Sequence, residues 1–339
     1  MIEVKYNPRI TIGITSYDRF ELLKETINSV RNQSFSDFIA IISNDNPARK
    51  LDYESLEIEK DQRFIIINHE SNLGEINNLN YLLKAAKTEY FTWLSDDDLL
   101  HPLYLKNAIT ELDNHKDAAV YYSSFSSGEF WDLDNVEINN TAELRTYDRA
   151  VFLPLYASRS IKLIGCYGVF RQNLLNDLGG FKQLGCGFAP YADTLLPILI
   201  SEKGGILFKD APFVFLRTHD RSLSNSSSNL CSYVSAQEDF LKEISSSIKE
   251  LVKIEGRKIQ FDFFNWFSSD RAAVISRSAK FFWPLLTQLY LDLISLIRME
   301  INFRDKLRSI PAIYKRLYVT GRTLLKAKLS NLINEFNIK

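Results

Sequence analysis

The stretch Tyr90-Phe91-Thr92-Trp93-Leu94-Ser95-Asp96-Asp97-Asp98-Leu99-Leu100 decides the fold. Its first five residues are aromatic, apolar or β-branched, so they read as a short buried strand. After the three aspartates, His101-Pro102 opens a helical spacing of Leu103, Leu105, Ile109 and Leu112, with proline tolerated in the first turn. Strand, acidic turn and helix place three carboxylates just past the carboxyl end of a strand, where open α/β sheets bind ligands. Two readings of the triplet stand. Crowded anions are relieved by a divalent cation, and oxygen ligands suit Mg²⁺ or Mn²⁺. Alternatively, one aspartate caps the following helix and the others are solvated.

Working outward, the same alternation recurs. Ile10 to Thr15 is a β-branched strand, and Leu22, Leu23, Ile27 and Val30 trace a helix to about Asn32, with Asp18 and Glu21 spaced as a capping box. Phe38 to Ile42 and Phe64 to Ile67 are further strands. Ser43-Asn44-Asp45-Asn46-Pro47 and Asn72-Leu73-Gly74 are turns, and Ile76, Leu79, Leu83 and Ala86 mark another helix. Ala118 to Tyr122 follows as a strand. This order predicts an α/β fold with a mainly parallel, doubly wound sheet. Residues 128–160 read as a weakly periodic connection. Gly165 to Phe170 reads as a strand, Gln172 to Leu178 and Asp193 to Ser201 as helices, and Gly205 to Phe208 and Phe213 to Leu216 as short strands. The Ser/Asn run from Ser222 to Asn229 is the natural boundary. It divides a first domain, 1–228, from a helical C-terminal region, 229–339.

A chain of 339 residues with 45% hydrophobic content is long enough for two domains with a substantial core. Its net charge of −1 is unevenly spread: from Gly256 onward there are fifteen Lys and Arg against six Asp and Glu. An acidic body with a basic tail disfavours nucleic acid as partner and is compatible with an anionic surface. The helical pattern of Phe281, Phe282, Leu285, Leu289, Leu293, Leu296 and Ile297, bordered by basic residues, fits either docking on the inner membrane face or packing on protein, a second copy included. The N-terminus lacks a signal-peptide core and no apolar run reaches the ~18 residues of a span, so the expected location is cytoplasmic, peripheral to the membrane at most. Cys166, Cys186 and Cys231 show no metal or disulfide spacing.

Taken together, Ile14-Thr15-Ser16-Tyr17-Asp18-Arg19, Ile42-Ser43-Asn44-Asp45-Asn46, Asn72-Leu73-Gly74, Ser95-Asp96-Asp97-Asp98, Asp193 and Arg217-Thr218-His219 occur in the order seen in family 2 glycosyltransferases of the GT-A fold. The chain resembles that family, the bacterial surface-polysaccharide (O-antigen or capsule) type, over about Ile10 to Ser224. The resemblance implies an inverting, metal-dependent hexosyl- or deoxyhexosyltransferase. It would move sugar from a UDP- or dTDP-linked donor to a glycan or lipid-linked acceptor. It implies that Thr15 and Tyr17 line the base pocket and Asp45 accepts the base imide N–H. Asp96 and Asp97 would lie on the donor, and Asn80 would contact the sugar. Asp98, with Asp96 and His219, would hold Mn²⁺ or Mg²⁺, and Asp193 would be the general base. Each residue also has a plainer role: Tyr17 as a turn aromatic, Asp45 in turn chemistry, Asn80 on a helix face, Asp193 as a helix cap, His219 as a structural histidine. Three positions depart from the family pattern: Asn44 and Ala192 stand where it has acids, and Leu79 where it often has Arg. These departures motivate the alternative of a non-catalytic binding or scaffold subunit. A carboxylate-dependent glycoside hydrolase is disfavoured, since adjacent aspartates on one turn do not flank a sugar. No GxGxxG follows the first strand, which weighs against a dinucleotide enzyme.

Overall fold

The computed structural model describes residues 7–131, 142–185, 190–219, 230–247, 258–260, 262–264 and 266–267. The chain divides into two compact units, 1–219 and 220–339.

The first unit is built on one sheet. Strand β1 (Ile10–Ser16) is flanked by β2 (Phe38–Asn44) and β4 (Tyr90–Ser95), and β3 (Phe64–Asn68) lies outside β2, all parallel. Strands β1, β2 and β4 are apolar on both faces because helices cover both, and Ile10, Ile12, Ile14, Phe38, Ile42 and Tyr90 are fully buried. The register pairs Thr15 with both Ser43 and Ser95, so the three strands end level and their exits share one edge. Helices α1 (Phe20–Arg31) and α2 (Glu75–Ala85) make the return crossings and bury Leu23, Ile27 and Val30, and Ile76, Leu82 and Leu83.

Beyond β4 the sheet changes character. It continues as β8 (Val169–Arg171), β6 (Ala118–Gly128), β9 (Gly205–Arg217) and β5 (Leu99–Leu100), with β7 (Leu144–Tyr147) also on β9. Strand β8 is antiparallel to both β4 and β6, while β6 and β9 run parallel. The expected mainly parallel sheet is therefore parallel in its N-terminal half and mixed in the other. Periodicity marks where strands lie but carries no direction, which is why the reversal is absent from the sequence reading.

Other differences are local. Arg19 rather than Asp18 is the N-cap of α1, and it makes no side-chain cap bond, so no capping box forms. The two short strands after Gly205 are one strand, broken by register shifts against β6 near Ser123 and Ser124. The expected strand from Gly165 begins as a 3₁₀ turn, Gly165–Tyr167. Within the connection, Asp148 caps α4 (Arg149–Ala157) through its side chain. Helix α3 (Tyr104–Asn114) begins well after the acidic turn, which leads into β5, so none of the three aspartates is its N-cap. Helices α5 (Gln172–Leu178) and α6 (Ala192–Ile200) form as expected.

In the second unit α7 (Leu230–Ser247) buries Phe240, whose ring meets Phe263 at 5.1 Å and Phe267 at 4.7 Å between centroids. The basic amphipathic stretch from Phe281 to Ile297 lies outside the described residues.

A candidate active site at the strand exits

The site is assembled where β1, β2 and β4 end. Tyr17 leaves β1 with its side chain 55% exposed, while its backbone N–H donates to Asp96 Oδ2 at 3.2 Å. Thr15, one turn of the pleat earlier, is half-buried at the same edge. Asp96 is almost fully buried and its other oxygen lies 2.6 Å from Arg19 Nη2. Burial pushes the Asp96 carboxyl up to about 6, against the pull of the Arg19 charge. Asp97 Oδ2 accepts from Arg19 Nη1 at 2.5 Å and lies 3.0 Å from His219 Nε2.

Asp98 is turned elsewhere. Its Oδ2 accepts from the Tyr167 hydroxyl, and its Oδ1 accepts from the Arg217 backbone N–H at 2.9 Å. Its carbonyl accepts from Thr26 Oγ1 at 2.9 Å. Burial and the adjacent Asp97 charge push the Asp98 carboxyl up to about 7. The expected metal set of Asp98, Asp96 and His219 therefore does not converge. Both oxygens of Asp98 tie the acidic turn to β9 and to the 3₁₀ turn. Both oxygens of Asp96 face Tyr17 and Arg19. His219 meets Asp97 instead. Among the described residues no three His, Cys, Asp or Glu side chains form a closed metal site.

The Asp97–His219 pair still fits an open one. Mg²⁺-type ions keep several positions for water and substrate phosphate, and take only one or two protein ligands. Asp97 Oδ2 supplies the carboxylate oxygen such an ion takes, and His219 Nε2 lies 3.0 Å from it.

Two further residues of the expected site, Asp45 and Asn80, also have structural partners. Asp45 accepts from the backbone N–H groups of Leu73 at 2.6 Å and Gly74 at 3.0 Å. Its carboxylate fastens the Asn72-Leu73-Gly74 loop at the start of α2, with one N–H on each oxygen and a second lone pair on each still able to accept. Asn44 is also a loop builder: its amide donates to Asn68 Oδ1 and to the Arg49 carbonyl. Asn80 exchanges two hydrogen bonds with the Phe181 backbone, at 2.9 and 2.8 Å. This clasp explains Gly180, whose φ is +77° and where a Cβ would stand 2.3 Å from Asn80 Oδ1. Asn80 is thus an anchor between α2 and the turn after α5.

Asp193 lies in the first turn of α6, whose N-cap is Tyr191 with φ +70°, so the plainer capping role does not apply. Burial raises the Asp193 carboxyl above the ordinary aspartate range. The first turn of α6 is packed tightly: a Cβ on Gly165 would meet the Asp193 carbonyl at 1.7 Å. Glu75 opens α2 and is exposed, with neighbouring protein displacing part of its water. That desolvation, with the Asp193 charge, pushes its carboxyl up to about 7. Arg19, Tyr167, the Arg217 backbone and Glu75 were given no role by the sequence. Arg19 alone carried a signal, as a cation two residues beyond Tyr17 at a strand exit.

Residues 11–179 match the model of the family described as glycosyl transferase family 2. A Methanocaldococcus jannaschii protein named as an uncharacterised glycosyltransferase is 33% identical over 34% of this chain, which spans 41% of that protein's length. One from Rickettsia typhi, named likewise, is 27% identical over 76% of this chain and 78% of its own length. A Campylobacter jejuni protein named GalNAc(5)-diNAcBac-PP-undecaprenol beta-1,3-glucosyltransferase is 32% identical over 27% of this chain and 31% of its own. In fold, the chain is similar to S. aureus TarS 1-349 in complex with UDP-GlcNAc, with a TM-score of 0.60 at 15% identity, covering 95% of this chain and 92% of that one. Strand exits, acidic turn and comparisons agree: the chain belongs to glycosyl transferase family 2, and its sheet is that of a GT-A fold.

Proposed function

We propose that the protein is an inverting glycosyltransferase that moves a sugar from a UDP- or dTDP-linked donor to a glycan or lipid-linked acceptor in cell-surface polysaccharide synthesis. The observation that carries this reading is the Asp97–His219 pair at the shared edge of β1 and β4, the edge at which the exposed Tyr17 leaves β1. Tyr17 offers a face for the nucleotide base. Asp97 and His219 would hold Mn²⁺ or Mg²⁺, whose charge, when bound, stabilises the negative charge growing on the leaving diphosphate. A related solved structure, the Pyrobaculum calidifontis mannosyltransferase in complex with GDP-Man and Mn²⁺, supports a metal in such a fold, with a TM-score of 0.52. A lipid-linked acceptor is supported by the name of the Campylobacter relative.

Asp193 is assigned as the base. An aspartate at its usual pKa near 3.9 is a weak match for an alcohol. The half-buried Asp193, its carboxyl raised by desolvation, is more basic, and it takes the proton as the acceptor hydroxyl attacks the anomeric carbon. Attack opposite the leaving group inverts that centre. The membrane reading is kept for the basic C-terminal segment, and no helix among the described residues is long and apolar enough to cross a membrane.

A panel of UDP-, dTDP- and GDP-sugars with Mn²⁺ or Mg²⁺, read by thermal shift, tests donor and base together, because a cognate ligand stabilises the fold by mass action. Only uridine or thymidine donors should shift melting; a guanosine donor alone would refute the pyrimidine assignment. Asp193→Asn should retain the shift and lose transfer by ~10²–10⁴-fold. Undiminished turnover would remove Asp193 as base.

A further inference from the structure

Arg19 is a cation at this edge that the proposed transfer leaves without a task, and its placement is specific. It stands at the N-cap of α1, three residues past the end of β1, and directs its guanidinium at the acidic turn. One nitrogen reaches Asp96 at 2.6 Å and another reaches Asp97 at 2.5 Å, and all three side chains are largely withdrawn from water.

We propose that Arg19 is a resident counter-cation of the Asp96–Asp97 pair that makes divalent-ion binding depend on the arrival of the donor diphosphate. This deepens the reading of the site as a nucleotide-sugar site and rests on it. The argument is one of charge. Asp97 Oδ2, an oxygen offered to a metal, already accepts from Arg19 and lies against His219. Arginine does not lose its proton at any working pH, so a dication at Asp97 must displace the guanidinium or sit beside it. Either is unfavourable unless Arg19 gains an anion besides Asp96, which its other nitrogen already holds. A diphosphate supplies that anion, because its oxygens match the planar fork of the guanidinium. Asp96, buried and held by the Tyr17 N–H, remains as the anchor on which Arg19 pivots. Metal and diphosphate therefore bind with positive coupling, and the coupling is the same whichever arrives first.

The test is a titration of the full chain with Mn²⁺ alone and with Mn²⁺ in the presence of UDP, followed by calorimetry. The wild type should bind Mn²⁺ at least ~10-fold more tightly with UDP present. Arg19→Gln removes the competing charge, so Mn²⁺ alone should bind more tightly than in wild type, by about tenfold. UDP should bind more weakly, and the coupling should fall to within ~3-fold of none. Arg19→Lys keeps the charge without the fork, and should leave Mn²⁺ binding near wild type with intermediate coupling. The proposal is overturned if Arg19→Gln leaves the coupling unchanged or weakens Mn²⁺ binding in the absence of nucleotide. Should that variant not fold, wild-type coupling in Arg19→Lys overturns it equally. If the wild type binds no UDP at all, the nucleotide-sugar reading fails, and the effect of Arg19→Gln on Mn²⁺ alone still decides the competition.

Discussion

Two strand exits of this protein carry aspartates, and their partners set them apart. At the end of β2, Asp45 is held by two backbone N–H groups, those of Leu73 and Gly74. At the end of β4, Asp97 is held by two side-chain cations or cation-forming groups, Arg19 and His219. A carboxylate bonded to backbone amides belongs to the loop it shapes, since releasing it would strand buried donors. A carboxylate bonded to side chains can exchange partners, because those side chains have other rotamers and other anions to meet. The same residue type at equivalent places in the sheet is thus tied to backbone in one case and to side chains in the other. Asp98 shows how local the distinction is: one residue beyond Asp97, it is bonded to the Arg217 backbone and to Tyr167, and sides with Asp45.

Exchanging the two aspartates for alanine is the most direct way to break this contrast. Asp97→Ala should reduce transfer by at least ~10³-fold, in the range seen when a group stabilising transition-state charge is removed. Its melting temperature should move by only a few degrees. Asp45→Ala should instead lose on the order of 2–4 kcal/mol of stability, from two charge-assisted bonds and two orphaned amides. Denaturant unfolding and a transfer assay on the same preparations measure both. A stable Asp45→Ala with lost donor binding would restore Asp45 to the base pocket and undo the contrast.

A smaller effect sharpens it. Asn80→Ala removes the reciprocal bonds to Phe181, and should cost roughly 1–3 kcal/mol while leaving donor affinity within about twofold. A large fall in donor affinity at unchanged stability would return Asn80 to the sugar.

The contrast also explains what was legible in the sequence. The β-branched and aromatic runs of β1, β2 and β4 had to be buried strands, and the acidic turn had to follow the last of them. That was enough to place Tyr17, Asp45 and Asp96 to Asp98 on one edge. Which lone pair of each carboxylate is spent, and on whom, depends on residues brought in from far along the chain. Tyr167 and Arg217 reach Asp98 from 69 and 119 positions away. No local pattern announces such a partner. The same limit applied to the sheet, where β8 enters antiparallel between β4 and β6.

The smallest expected effect concerns pH and the neighbouring acids Glu75 and Asp193. The Glu75 carboxyl stands at about 7 against an ordinary 4.5, raised by desolvation and by the Asp193 charge. Its folded-state pKa is above the unfolded one, so between about pH 4.5 and 7 the native state holds the proton more firmly than the unfolded chain does. Stability from this group is therefore full below that window and declines as pH rises through it. Glu75→Gln, neutral throughout, should match the wild type near pH 4 and melt about a degree higher at pH 8, solvent screening keeping the effect at this exposed group small, as followed by circular dichroism. Adding Asp193→Asn should shrink that difference, because the Asp193 charge is one cause of the shift. If Glu75→Gln melts lower than wild type at pH 8, Glu75 is ionised to advantage in the fold, and it belongs with the carboxylates that have found a cation.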